Sequence, residues 1–257
     1  MDLRFDTSLI QGYKSPTQIA RVLTEDWLVR NMYCPVCGTT AMRRAEPNAP
    51  VKDSVCEHCR AQFELKSKRE YSEKYMTKVN DGVYDTMIER ITSLENPNFF
   101  FMHYDHFEVN NLIVVPKCFF VPDIIEKRKA LSNDARRSGW EGCNILLGMI
   151  PDFAKIPIIR NGEVLDPSTV CEAYNRAYSL QTDNMEGRGW LMDVLRCLER
   201  LDSAFTLKQM YVFIEDLKKK HPHNNNVEAK IRQQLQFLRD KGIIRFTRRG
   251  NYEKIWS

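Results

Sequence analysis

The chain has 257 residues, 43% apolar and 28% charged, which is long for one domain and comfortable for two globular ones. No apolar run approaches the ~18 residues of a membrane span, and the opening MDLRFDTSLIQGYKSP lacks the apolar core of a signal peptide, so neither a membrane-spanning helix nor export is expected. The net charge of +4 is unevenly divided: residues 187–257 hold 15 Lys and Arg against 8 Asp and Glu, and the remainder 23 against 26, which suggests a basic, polyanion-binding module joined to a slightly acidic body, with chance clustering on a solvated surface as the competing reading.

Residues 17–31 predict a helix, with Ile19, Val22, Leu23 and Trp27 on one face and Thr17 as N-cap. The first of two C-x-x-C knuckles follows, Cys34 and Cys37. The second, Cys56 and Cys59, comes after 18 intervening residues. Two residues between cysteines let one turn supply two thiolates, and two such turns make the tetrahedral donor set of Zn²⁺ in a zinc ribbon. Four thiolates leave no open position for water, so this metal is expected to be structural. The other cysteines, Cys118, Cys143, Cys171 and Cys197, are scattered singly, which fits a reducing cytoplasm rather than a disulfide framework.

Residues 38–50 read as loop. Residues 50–56 and 61–67 predict an antiparallel hairpin with the second knuckle as its turn. That register sets Asp53 opposite Glu64. Strand alternation puts Glu64 and Lys66 on one face, expected to be open, and Phe63 and Leu65 on the other, toward the core. Two carboxylates and the main-chain carbonyl of Leu65 are the oxygen ligands Mg²⁺ takes, and Lys66 would orient a water and add positive charge. Many metal-dependent nucleases space an acidic residue and an acidic-x-Lys strand in this way; a solvated strand face is the competing reading.

Residues 68–80, charged and bearing Tyr71 and Tyr75, are expected to form a mobile loop near this site. A helix is predicted over 81–93, with Val83, Met87, Ile88 and Ile91 as its buried stripe. Residues 96–104 enter a fully buried strand, and 107–116 form another that stops at Pro116. This order predicts an α/β sandwich with a mixed sheet. Further on, Arg136 and Arg137 precede Gly139-Trp140, where the indole is either exposed for stacking on a base or a core side chain. Asn161-Gly162 marks a hairpin, residues 168–180 a short helix, and the turn-rich 181–189 a linker.

In the last 70 residues a helix is predicted over 189–201. A capping box, Thr206 to Gln209, opens a second helix running to Lys220, and another, Asn225 to Glu228, opens a third running to Asp240 and closed by Gly242. A hairpin over 243–255 completes a winged helix. On the third helix Val227, Ile231, Leu235 and Leu238 form the buried stripe, while Lys230, Arg232, Gln233 and Gln236 lie on other faces. Arg and Gln read guanine and adenine edges, and Arg245, Arg248, Arg249 and Lys254 on the wing suit phosphates. Winged helices also serve protein contacts; the basic charge favours nucleic acid.

LTEDW (23–27), YCPVCG (33–38), FELKSK (63–68), NPNFFF (96–101), FEVNN (107–111), RGW (188–190) and the IRQQLQ run from Ile231 carry a resemblance that spans nearly the whole chain. In these stretches, and in the ARR and GCNI segments around Trp140, it is similar to the DpnI-like methyl-directed type II restriction endonucleases. The resemblance implies an α/β, mixed-sheet PD-(D/E)xK core with an inserted zinc ribbon over residues 1–183, and a winged-helix DNA-binding domain over 184–257. It implies Mg²⁺-dependent hydrolysis of double-stranded DNA at GATC sites carrying N6-methyladenine, by a monomer in the bacterial cytoplasm. Asp53, Glu64 and Lys66 become the catalytic set, Cys34, Cys37, Cys56 and Cys59 the zinc ligands, and Trp140 part of the segment that senses the adenine methyl. Lys52 stands where the pattern has proline, and residues 68–80 and 146–186 match poorly. The alternative is a zinc-containing winged-helix regulator without catalysis.

Overall fold

The computed structural model describes residues 1–46, 52–69, 77–93, 96–182 and 184–256. Helix α1 is Pro16–Asn31. Proline's fixed φ and missing N–H suit the first helical position, so the helix starts on Pro16. Ser15, not Thr17, is its N-cap, without a side-chain capping bond. Leu23, Trp27 and Leu28 are buried, and the Trp27 indole N–H donates to the Asp2 carbonyl at 2.8 Å.

The strands that follow are β1 (Met42–Arg44), β2 (Ser54–Cys56), β3 (Gln62–Arg69), β4 (Val79–Val83), β5 (Asn98–Asp105), β6 (Glu108–Val115), β7 (Ile125–Lys127), β8 (Gly142–Ile145), β9 (Ile156–Arg160) and β10 (Glu163–Val164). Helix α2 (Tyr84–Thr92) follows β4 and helix α3 (Pro167–Tyr178) follows β10. Seven strands form one sheet in the order β1-β2-β3-β5-β6-β9-β10. The β3–β5 pair is parallel and the other pairs antiparallel, so the predicted mixed sheet is present. Strand β5 lies in its interior and is buried from Asn98 to Tyr104, as a strand covered on both faces must be. Phe99 stacks on Phe120 at 4.0 Å between ring centroids, and Phe63 on Phe100 at 4.8 Å. The Asn98 side chain ties three segments together: its oxygen accepts from the Tyr174 hydroxyl (2.7 Å) and the Lys117 N–H (3.0 Å), and its amide donates to the Gln62 carbonyl. Asn161 and Gly162, both at positive φ, make the expected β9–β10 turn.

A second sheet, β4-β8-β7, had no counterpart in the sequence reading. The helix expected over 81–93 begins only at Tyr84, because Val79–Val83 is drawn into a ladder with Gly142–Ile145. A distant partner outweighs local periodicity there, and Val83 is exposed rather than buried. The predicted loop with Tyr71 and Tyr75 falls largely outside the described residues.

The C-terminal elements are α4 (Met185–Glu199), β11 (Ala204–Thr206), α5 (Leu207–Tyr211), α6 (Ile214–Lys220), α7 (Val227–Asp240), β12 (Ile244–Arg248) and β13 (Asn251–Lys254). Four helices, α5 and α6 standing where one was predicted, and a small sheet ordered β11-β13-β12 give the expected winged-helix outline with an added third strand. The stretch expected as linker is shorter than read: Asn184 accepts the Glu186 N–H, and the chain is helical from Met185 despite two glycines. The Thr206–Gln209 capping box forms in both directions, but the helix it opens breaks at Val212 and Phe213. The second predicted box does not form. Asn226 is the N-cap of α7 and makes no side-chain bond; its own N–H is held by the Asn224 side chain. Gly242, at φ +69°, ends α7, and the next N–H returns to the Leu238 carbonyl, a left-handed closure that glycine adopts without penalty. Among the described residues no helix is long and apolar enough to cross a membrane.

Candidate functional site

The β2–β3 hairpin carries two polar clusters, one at its turn and one at its open end. At the turn the four sulfurs of Cys34, Cys37, Cys56 and Cys59 lie within 4.8 Å of one another. Each knuckle is closed by a backbone bond, Gly38 N–H to the Cys34 carbonyl (2.8 Å) and Arg60 N–H to the Cys56 carbonyl (2.9 Å). Both closing residues sit at positive φ; at position 38 glycine removes the strain, and at position 60 arginine bears it. The Cys34–Cys59 and Cys37–Cys56 sulfur separations are 3.6 and 3.7 Å. Tetrahedral thiolates at a zinc–sulfur distance of about 2.3 Å stand ~3.8 Å apart, so the donor set fits such an ion. Burial pushes the Cys34 thiol up. It pushes Cys56 up as well, but the Cys59 and His58 backbone N–H groups and the Thr39 hydroxyl outweigh it and bring Cys56 down to about 6.

At the open end the pairing Ser54↔Phe63 and Val55↔Gln62 stops at Ser54, and the Asp53 N–H donates to the Phe63 carbonyl at 3.0 Å, so a bulge sets Asp53 beside Phe63 instead of directly across from Glu64 as the sequence predicts. The Asp53 carboxylate accepts the Leu65 N–H at 2.6 Å, which fixes it against the Leu65 peptide. The charged face is not open, however. Glu64 is 8% exposed, because β4 and α2 lie over it and contribute Asp81 and Arg90. Lys66 donates to Glu64 Oε1 and to Asp81 Oδ1, and Arg90 donates to Glu64 Oε2.

Three carboxylates and two cations thus share one half-buried space. Burial raises Asp53 and Glu64 above their ordinary values, although Lys66 and Arg90 pull both down. Burial opposes the Lys66 charge, but Glu64 and Asp81 overcome it, and its net shift is upward. Cys143 on β8 borders the group, its thiol pushed up to about 12 by burial and by Asp81. Among the described residues Asp81 Oδ2 and Arg90 Nε are buried without a hydrogen-bond partner, and the formal charge of the five groups leaves one negative charge over. A divalent cation fits that donor set. Among the described residues the carboxylate oxygens do not converge as tightly as the four sulfurs do; cations stand between them. Glu25 on α1 is a further neighbour, raised by burial and by the Asp53 charge.

Asp81 and Arg90 were missed in the sequence. Asp81 reads as a helix start until β8 turns it into a strand residue, and Arg90 reads as an ordinary solvated helix position. A bulge between Asp81 and Val83 re-aims the side chain, and the Gly82 N–H holds Asp81 Oδ1 at 2.7 Å.

The predicted DNA-contact residues fall into two places. Arg136, Arg137 and Trp140 precede β8. Both arginines are exposed and the indole is half-buried, not a core side chain. Trp140 lies over Gly142, where a Cβ would meet its ring at 2.5 Å, so only glycine allows this ring position. On α7, Val227, Ile231, Leu235 and Leu238 are buried as predicted, with Gln234 added. Arg232, Gln233 and Gln236 are exposed and Lys230 half-buried. Arg232 donates to the Tyr211 hydroxyl at 2.5 Å. On the wing Arg248 and Arg249 are exposed and make no ion pair among the described residues, whereas Arg245 is paired with Glu253 at 2.6 Å. Lys254 is not a phosphate ligand: its ammonium donates to the Leu198 and Leu201 carbonyls at 3.0 and 2.7 Å, capping the end of α4.

Comparison with known families bears on both halves of the chain. A family model described as DpnI, the Dam-replacing family, matches residues 1–183, and a second, described as the Dam-replacing HTH domain, matches residues 186–254. The second identifies the α4–β13 region as a helix-turn-helix domain of the kind that binds DNA. The first covers well over half of the sequence, and the chain belongs to the Dam-replacing family, the family of DpnI-like methyl-directed restriction endonucleases.

Proposed function

We propose that this chain is a Mg²⁺-dependent type II endonuclease that hydrolyses phosphodiester bonds in double-stranded DNA at GATC sites carrying N6-methyladenine. The observation that carries the reading is the group Asp53, Glu64 and Lys66 at the end of a hairpin clamped by four cysteines, in a chain of this family. The hydrolytic centre is a PD-(D/E)xK core within residues 1–183, with the Cys34, Cys37, Cys56 and Cys59 ribbon as a structural Zn²⁺ site. Residues 184–257 form a separate DNA-binding unit.

Asp53, Glu64 and the Leu65 carbonyl would hold a divalent ion, which when bound would neutralise phosphate charge and acidify the attacking water. The chain's own groups do the rest. The Leu65 N–H keeps Asp53 aimed, Arg90 keeps Glu64 aimed, and Lys66 orients the water and offsets charge that develops on phosphorus. Trp140, Arg136 and Arg137 lead into β8, and the Tyr84 N–H, next to β4, donates to the Glu141 carbonyl at 3.1 Å. The segment with the indole is thereby tied to the sheet that supplies Asp81. We assign it the adenine methyl, an apolar group for which an aromatic face is the natural partner. Lys230, Arg232, Gln233, Gln236, Arg248 and Arg249 provide a second contact surface, with Arg245 at its margin.

Digestion of Dam-methylated and unmethylated plasmid in parallel tests the reading. Cutting of the methylated plasmid alone, with Mg²⁺ and not with EDTA, is expected. Equal cutting of both, or none of the methylated one, refutes it, and binding without cutting would establish a regulator instead.

A further inference from the structure

We propose that Asp81 is a positioning residue: it takes over the Lys66 ammonium when Glu64 turns one oxygen to the metal, and so keeps Lys66 from competing for that oxygen. The inference rests on the nuclease reading and deepens it.

Both oxygens of Glu64 are engaged in this structure, Oε1 by Lys66 and Oε2 by Arg90. A carboxylate in that condition offers a metal ion little until one cation withdraws. The two cations are not equivalent. Arg90 holds Glu64 through one Nη, and among the described residues it has no second acceptor. Lys66 bridges two acceptors, Glu64 Oε1 and Asp81 Oδ1. It is therefore Lys66 that can release Glu64 and remain paired, and Arg90 that stays on Oε2 and fixes the carboxylate plane. Without Asp81 a buried ammonium would have Glu64 alone, and leaving a buried charge unpaired is strongly unfavourable. Lys66 would then stay on Oε1 and oppose the incoming ion.

Asp81 is built for this task. The side chain is 9% exposed, and the Gly82 N–H holds the same oxygen that accepts from Lys66. The bulge after Asp81 directs it across from β4 to β3. Groups that orient a metal ligand from behind commonly change metal affinity by about 10- to 100-fold when removed.

The test is Ca²⁺ binding by calorimetry, with the full chain and no DNA cleavage required, on the wild type, Asp81→Asn, Lys66→Ala and the double variant. Asparagine keeps the shape and the Gly82 bond, and a melting curve for each variant checks the fold. The expected result is about tenfold weaker Ca²⁺ binding for Asp81→Asn, and no further loss when the same change is made in the Lys66→Ala background. Asp81→Ala should follow the same pattern more strongly. An equal loss in both backgrounds would make Asp81 a metal ligand and overturn the proposal, as would unchanged binding in Asp81→Asn. A wild-type protein that neither binds Ca²⁺ nor cuts methylated DNA fails earlier, at the nuclease reading, before any variant is compared.

Discussion

The two clusters on the β2–β3 hairpin solve the same problem in opposite ways. At the turn, Cys34, Cys37, Cys56 and Cys59 converge within 4.8 Å, and among the described residues none of them is paired with a protein cation. Burial favours the neutral thiol at Cys34, so four thiolates there would need a bound metal to balance them. At the other end Asp53, Glu64 and Asp81 are balanced, except for one charge, by Lys66 and Arg90. On the proposed reading the first cluster would need its ion in order to fold, and the second would fold without one and exchange it. That is the division expected between a structural and a working metal site.

The largest effect should come from breaking the first cluster. Cys56→Ser with Cys59→Ser, or prolonged chelation of zinc, is expected to destabilise the chain by at least about 4 kcal/mol, a drop of about 10 °C in melting temperature. Chelation that removes only the more weakly held divalent ion should lower the melting temperature by no more than a few degrees. If both treatments move the melting curve equally, the contrast between the clusters is wrong.

Next in size is Lys66→Ala. It removes a group from the second cluster without touching the first. Cleavage of methylated plasmid should fall by about 10³-fold, while the far-ultraviolet circular dichroism spectrum and Ca²⁺-supported DNA binding persist. Loss of binding in step with cleavage would move Lys66 from the chemistry to the DNA interface.

How much of each cluster was legible follows from how far apart its members lie in the chain. The cysteines announce themselves in pairs, because a knuckle is a local turn. Asp53, Glu64 and Lys66 share one hairpin, so their closeness was legible, but the bulge that shifts Asp53 toward Phe63 was not. Asp81 and Arg90 arrive from elements whose placement depends on β8 pairing with Val79–Val83, and no local pattern in 77–93 contains that information. The same limit hid β11, whose partner β13 is near the end of the chain. The seven-stranded sheet was anticipated only as a mixed sheet, since the apolar runs of β5 and β6 reveal burial and not neighbour order. In the C-terminal unit local signals served better: Thr206, Gly242 and the stripe of α7 are all where the spacing puts them, while the box at Asn225 and the unbroken second helix failed.

A third, smaller effect separates the catalytic body from the helix-turn-helix domain. Arg248→Ala with Arg249→Ala should weaken DNA binding by about tenfold and lower the salt slope by about 2, one phosphate contact for each side chain. Single-turnover cleavage at saturating DNA should be unchanged. Arg245→Ala should do less, because Glu253 already holds that guanidinium.

The smallest effect is a pH dependence, and it applies to the second cluster. Burial raises Asp53 and Glu64 above their ordinary values of 3.8 and 4.5. The metal-free folded chain therefore holds those protons more tightly than the unfolded chain does. That contribution to stability is complete below the ordinary values and is lost as pH rises through the raised ones. A divalent cation binds only the ionised carboxylates, so the stabilisation it adds runs the other way and grows over the same range. Melting temperatures with and without Ca²⁺ should converge at acid pH and separate by a few degrees above about pH 5, with the separation beginning above 4.5. In Glu64→Gln the separation should shrink at every pH, since the variant offers one charged ligand fewer. A separation that widens toward acid pH would mean that the ion is held elsewhere, and the assignment of Asp53 and Glu64 would have to be given up.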